Sequence, residues 1–141
     1  GVLKGTDKGL ELDREVTRAE AVTFLSRIAP EDQMQTKMLA TFEDVSKDHW
    51  AYETITWALN ADIIEGVGEG KFNPDATVTG KQFVKMVLSM VGTEDVTIDK
   101  AYELGVAAGI VSDDVAEKIS NDKDLTRADV TVLIYNALQA E

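Results

Sequence analysis

The chain has 141 residues, 44% of them hydrophobic and 28% charged, and this length and composition are typical of one folded domain. Fourteen basic and 26 acidic side chains give a net charge of −12, which repels nucleic acid phosphates and anionic lipid over any broad surface. Cysteine is absent, which excludes disulfides and thiolate chemistry, and no apolar run reaches the roughly 20 residues of a membrane span. We therefore expect neither a nucleic acid partner nor membrane insertion.

The first predicted helix follows the stretch VTRAE at residues 16–20. Counted from Thr17, apolar residues recur at offsets 4, 7, 8, 11 and 12, the spacing of one helix face, and they are Ala21, Phe24, Leu25, Ile28 and Ala29. The opening GVLKG matches DIIEG at 62–66. Residues 1–30 are therefore interpreted as the second half of a repeat whose first helix would lie upstream. Residues 31–41 are predicted to be a helical or irregular connector.

A complete copy is predicted at residues 42–92. Its first helix is expected from about Trp50 to Asn60, with an inward face formed by Ala51, Ile55, Ala58 and Leu59. The loop GVGEGKFNPDAT follows, in which three glycines permit tight turns. A second helix begins after Thr79, and the same five offsets give Phe83, Met86, Val87, Met90 and Val91.

A divergent third copy is predicted at residues 93–141. TEDV at 93–96 reads as a connector, and residues 101–108 read as its first helix. Its loop carries Asp113 and Asp114 where glycines would be expected, so its shape should differ from that of the second copy. From Thr126, in the stretch LTRAD, the five offsets give Val130, Leu133, Ile134, Ala137 and Leu138.

The shared register predicts an internal repeat. We expect an all-α fold of three helix-loop-helix units packed around a common core in a pseudo-threefold arrangement, together forming one domain.

The three threonines are expected to cap helices. Three residues after each one stands Glu20, Gln82 or Asp129, which is the spacing of a capping box, although the shorter Asp129 should close it less well.

Capping does not explain Arg18 and Arg127, which follow two of the threonines at a position where the helix dipole disfavours a cation. An arginine beside free N–H groups at a helix N-terminus is suited to bind a carboxylate or phosphate. The alternative is that each arginine pairs with one of the 26 acidic side chains or covers apolar surface with its stem.

The chain resembles the S-layer homology modules of bacterial surface proteins. The motifs that carry the resemblance are FEDV, HWA, the isoleucine pair before Gly66, KFNP and the Thr79 position in the second copy, and VTRAE and LTRAD in the other two. The resemblance covers essentially the whole chain. It implies three modules with grooves between neighbours, an extracellular location at the cell wall, and membership of a larger surface protein.

The resemblance also implies a ligand, namely a secondary cell wall polymer, often pyruvylated, or another glycan linked to peptidoglycan. The motif arginine would meet its acidic group, and that role falls on Arg18 and Arg127. The second copy departs from the motif, with Gly80 at the arginine position and Lys81 as a weaker point charge beside it. The full set of candidate ligand contacts is Arg18, Arg127, Lys81, Trp50, Glu20 and Asp129.

The sequence signals for a metal site or a catalytic site are weak. DVSKDH at 44–49 lacks the glycine and the final glutamate of a calcium loop, so Asp44 and Asp48 are interpreted as capping or solvating the turn before the helix. His49 is assigned to the helix start rather than to a metal or catalytic site, and Trp50 to the core in preference to a groove wall.

We expect no enzyme activity and no cofactor. Two functions remain open: a module that binds wall glycan, and a structural or protein-interaction domain that has lost its ligand.

Overall fold

The computed structural model describes residues 11–30 and 40–140, so most of the predicted connector at 31–41 lies outside the described residues. The described range contains six α-helices and no strand, which confirms the all-α class. None of these helices is long and apolar enough to cross a bilayer. They are α1 (Arg18–Ser26), α2 (Tyr52–Asn60), α3 (Gly80–Met90), α4 (Ile98–Ala107), α5 (Asp113–Ser120) and α6 (Arg127–Gln139).

The predicted capping boxes are present at α1, α3 and α6. Thr17, Thr79 and Thr126 each accept the backbone N–H three residues on, and the third residue returns a side-chain acceptor to the threonine's own N–H. Asp129 closes its box as well as Glu20 does, because both return contacts measure 3.0 Å. The expectation that the shorter side chain would do less well was therefore wrong.

The residues just before these threonines meet in a closed ring of backbone hydrogen bonds. Val16 donates its N–H to the Leu125 carbonyl at 3.0 Å, Leu125 donates to Val78 at 3.0 Å, and Val78 donates back to Val16 at 2.8 Å. All three side chains are fully buried. This cyclic order is what three units around one axis would produce, while superposition of the whole units stays a prediction.

The core lies around α3, which packs against α1, α4, α5 and α6. The largest fully buried side chains of this core come from all three copies, so the copies share one core. They include Leu25, Ile55, Trp57, Phe72, Phe83, Leu88, Ile119, Leu125 and Leu133.

Two details differ from the predicted helix pattern. The residues at offset 12 were expected to face the core, but Val91 and Leu138 are each 45% exposed, since they lie at the ends of helices that extend past the common core. Helix α1 is also shorter than its pattern and ends at Ser26, before Ile28 and Ala29. The loop of the third copy differs in shape, as predicted: it contains the whole of helix α5.

Candidate functional site

The FEDV and KFNP segments of the second copy form one structural unit. Glu43 donates its N–H to the Gly70 carbonyl at 2.8 Å, and the rings of Phe42 and Phe72 stack with centroids 5.1 Å apart. The two oxygens of the Asp44 carboxylate accept the N–H groups of Phe72 and Asn73, each at 2.8 Å. These contacts fix the backbone of the KFNP segment where it meets the first turn of α1.

The position of Asp44 in the sequence had indicated that it caps or solvates the turn before α2. Its carboxylate instead binds the backbone of the KFNP segment. Desolvation alone would raise the pKa of its carboxyl group. The backbone N–H groups of Phe72 and Asn73, with the Asp44 N–H and the charge of Lys71, outweigh that effect, and the pKa is lowered. The ionised carboxylate is thus the form that the fold stabilises.

Arg18 is buried in contact with this unit, with a relative exposure of 5%. Its Nε donates to the Phe72 carbonyl at 2.8 Å, and its guanidinium carbon lies 4.4 Å from the centre of the Phe72 ring. No Asp or Glu in residues 11–30 or 40–140 forms an ion pair with it. Burial lowers the pKa of the guanidinium, and the negative charge of Asp44 opposes that shift through space.

The backbone N–H groups at the start of α1 are already used. Arg18 donates its N–H to the Ala76 carbonyl at 2.8 Å, and Ala19 donates to Pro74 at 2.9 Å. The next donor, on Glu20, goes to the Thr17 hydroxyl. The expectation of free N–H groups beside the arginine was therefore wrong, and an anion at this point would be held by the guanidinium itself.

A groove of about 240 Å³ opens beside Arg18, between the loop after α2 and helix α3. Its charged lining residues are Arg18, Lys85 and Glu65, which together carry one net positive charge in a strongly acidic protein. The remaining lining residues are Ile63, Ile64, Gly66, Val67, Gln82, Met86 and Ile98. The arrangement suits a small acidic ligand with some apolar surface.

Arg127 occupies the corresponding position at the start of α6 and is also 5% exposed. Its N–H donates to the Arg14 carbonyl at 2.9 Å, and its guanidinium carbon lies 5.8 Å from the centre of the Phe24 ring. By the repeat register the counterpart of Phe72 is Leu10, which lies outside the described residues.

In the second copy Gly80 stands where the other two copies have an arginine, and the space beside it is filled by other residues of the protein. A Cβ added to Gly80 would lie 2.9 Å from both the Cα and the Cδ1 of Ile119, on helix α5, and 3.0 Å from the Lys118 carbonyl. Neighbouring Lys81 donates its backbone N–H to the Asp122 carboxylate at 2.9 Å. Sequence reasoning identified the missing arginine but not the helix that occupies its space. The available signal was Val115 and Ile119, four residues apart after Ser112.

Glu20 and Asp129, the two acidic residues among the predicted ligand contacts, both form hydrogen bonds within the protein. Besides closing their capping boxes, Glu20 accepts a hydrogen bond from Arg14, and Asp129 accepts one from Lys118 at 2.6 Å. Both carboxylates thus serve the helix starts that carry the two arginines.

Trp50 is 64% exposed, so its assignment to the core was wrong. Its ring stacks on His49 with centroids 5.7 Å apart, and His49 is fixed because its Nδ1 accepts the Ala51 N–H at 3.0 Å. The two rings lie in a surface depression with Lys47, Tyr52, Glu53 and Thr54, none of which lines the Arg18 groove. Within the described ranges, no cluster of His, Asp and Glu is arranged to hold a metal ion.

Residues 41–84 match the sequence model of the S-layer homology domain. The chain is similar to a cell surface protein of Thermoanaerobacter kivui, at 29% identity over 94% of this chain and 18% of that protein. It is similar to a cellulosome-anchoring protein of Acetivibrio thermocellus, at 26% identity over 97% of this chain and 35% of that protein. An amylopullulanase of Thermoanaerobacterium thermosulfurigenes is 29% identical over 70% of this chain and 6% of the enzyme. The chain thus spans only a minor part of these curated relatives.

Proposed function

Because residues 41–84 match the S-layer homology domain, we propose that this chain anchors a larger surface protein to a bacterial cell wall by binding an acidic wall glycan. The protein then acts outside the cell, and the module binds rather than catalyses. Two relatives support anchoring by their names, one a cell surface protein and one a cellulosome-anchoring protein. The match to the amylopullulanase covers 6% of that enzyme, as expected for a module attached to a catalytic protein.

The observation that carries the proposal is the burial of the Arg18 charge beside an open groove. Burying a cation costs several kcal/mol when no carboxylate contacts it. Arg18 is only 5% exposed, its Nε is used by the Phe72 carbonyl, and no described carboxylate forms an ion pair with it. A ligand carboxylate, such as that of a pyruvylated sugar, would supply the missing charge and accept from the terminal guanidinium nitrogens.

Arg127 and Trp50 extend the proposal to further contacts. Arg127 has the same position and burial in its own copy and is proposed as a second acid-binding residue. The exposed indole of Trp50, held against His49, provides an aromatic face on which a neighbouring sugar ring could stack. Lys81 is the weakest candidate, because α5 fills the space beside it.

A second candidate function is a structural or protein-interaction domain without glycan affinity. Two observations favour it. Helix α5 closes the position next to Gly80, and an apolar depression lies where three helices end. Its lining consists of Ile28, Pro30, Met90, Val91, Gly92, Ala137 and Leu138.

The test is calorimetric titration with a soluble pyruvylated fragment of secondary cell wall polymer. We expect Arg18→Ala and Arg127→Ala each to lose a charge-assisted contact of about 1.5 to 3 kcal/mol, roughly a tenfold to hundredfold loss of affinity at the affected groove. Arg18→Lys should recover part of this, because an ammonium lacks the two-pronged fit to a carboxylate. Lys100→Ala, which removes one exposed positive charge outside the groove, is the matched control.

Undiminished binding by the Arg18→Ala/Arg127→Ala double variant, with its helical circular dichroism intact, would overturn the site assignment. If the parent binds neither the fragment nor sacculi that retain their secondary polymer, the interaction-domain function is favoured instead.

A further inference from the structure

The Arg18 groove contains a second cation, and that cation is already engaged within the protein. Lys85, on α3, lines the groove together with Arg18, which comes from α1. Its ammonium lies 3.1 Å from the Glu65 carboxylate, and its side chain is 21% exposed while that of Glu65 is 78% exposed. The lysine is therefore packed into the groove wall, and the glutamate reaches it from the solvent side.

Lys85 is particular to this copy of the repeat. The residues six positions after Thr17 and Thr126 are Thr23 and Val132, neither of which carries a charge. The copy therefore places a positive charge in the groove that opens beside the motif arginine Arg18. Since the protein has a net charge of −12, local positive charge must be built in to attract an acidic ligand.

We infer that Lys85 is a specificity-determining cation of the Arg18 groove and that Glu65 is an internal competitor which a bound anion displaces. The inference rests on the proposed function of this groove. The lysine adds attraction for a ligand with acidic character beyond the group held by Arg18. The exposed glutamate keeps weakly acidic or neutral sugars from gaining that attraction, because they cannot replace its charge.

Three variants test the inference with the pyruvylated fragment as probe. Lys85→Gln should weaken binding, and Glu65→Gln should strengthen it because the ammonium is then free for the ligand. Each substitution should change the affinity by about 1.5-fold to 5-fold, the range of a partly exposed ion pair. Both changes in affinity should be smaller at high salt. In Lys85→Gln, the additional Glu65→Gln change should strengthen binding less than it does in the parent.

Glu117→Gln is the control, since it removes the same charge from a similarly exposed glutamate, 82% against 78% for Glu65, in the pair of Lys123 with Glu117 at 3.8 Å, away from the groove. Equal strengthening by Glu117→Gln and Glu65→Gln would reduce the effect to overall charge and overturn the inference. Unchanged affinity in Lys85→Gln alongside a strong loss in Arg18→Ala would overturn it while leaving the proposed function intact. Unchanged affinity in Arg18→Ala would overturn the assignment of this groove and the inference together, whereas only a parent protein that binds no fragment would overturn the proposed function.

Discussion

Replacing Gly80 by alanine decides whether the space beside the second capping threonine is filled. Gly80 begins α3 with an ordinary helical backbone, so in open space alanine should stabilise the protein by about 0.4 to 1 kcal/mol through its smaller unfolded-state entropy. In the structure the new Cβ would lie 2.9 Å from the backbone of Ile119, well inside the roughly 3.5 to 4 Å at which carbon atoms normally pack. Overpacking of this kind costs about 1 to 3 kcal/mol. The sign of the change in stability therefore shows whether the space beside Gly80 is open or filled.

We expect a net loss of about 1 to 2 kcal/mol in the free energy of unfolding, after subtracting the entropic gain. At a urea m-value of about 2 kcal/mol per M, the midpoint should fall by about 0.5 to 1 M with the slope unchanged.

Lys81→Ala, one residue further along α3, is the control and should stay within about 0.5 kcal/mol of the parent. Ile119→Val removes the Cδ1 methyl but keeps the backbone of α5 in place, so in that background the cost of Gly80→Ala should be smaller without vanishing. A midpoint for Gly80→Ala at or above that of the parent would refute the reasoning, because it would show that α5 does not occupy this space.

Three further outcomes follow from the contacts. Asp44→Ala should cost about 1 to 3 kcal/mol at pH 7, since it removes the acceptor of two backbone N–H groups. The folded-state pKa of Asp44 lies below its ordinary value, so its contribution is present above about pH 4 and is lost as the pH falls through the lowered pKa. The difference in urea midpoint between Asp44→Ala and the parent should therefore be smaller at pH 3 than at pH 7. Thr126→Ala should cost about 1 kcal/mol by thermal unfolding, and Thr126→Ser should restore most of it. Trp50→Ala should change stability by less than about 1 kcal/mol because the indole is largely exposed, and a core-like loss would contradict that placement.

Local chemistry explains why the helix starts could be predicted. A capping box involves atoms only three residues apart, and an apolar helix face follows from the spacing of side chains along one turn. The threonines at 17, 79 and 126, the helices after them and the all-α class were therefore correctly predicted from the order of residues. Helix ends were predicted less well. No local signal marks where a helix leaves the common core, and this is why Leu138 was expected to be buried.

The spacing of residues along the chain predicts that a threonine-capped helix forms three times and that two copies place an arginine at its start. What those arginines and the gap at Gly80 contact depends on residues far away in the chain. Asp44 reaches Phe72 from 28 residues away, Phe72 reaches Arg18 across 54, and Ile119 closes on Gly80 from another helix. Burial of a charge and occupation of a groove depend on such distant neighbours. Spacing along the chain reports only which residues share an element, so it could nominate Arg18 but could not show its buried charge beside an open groove.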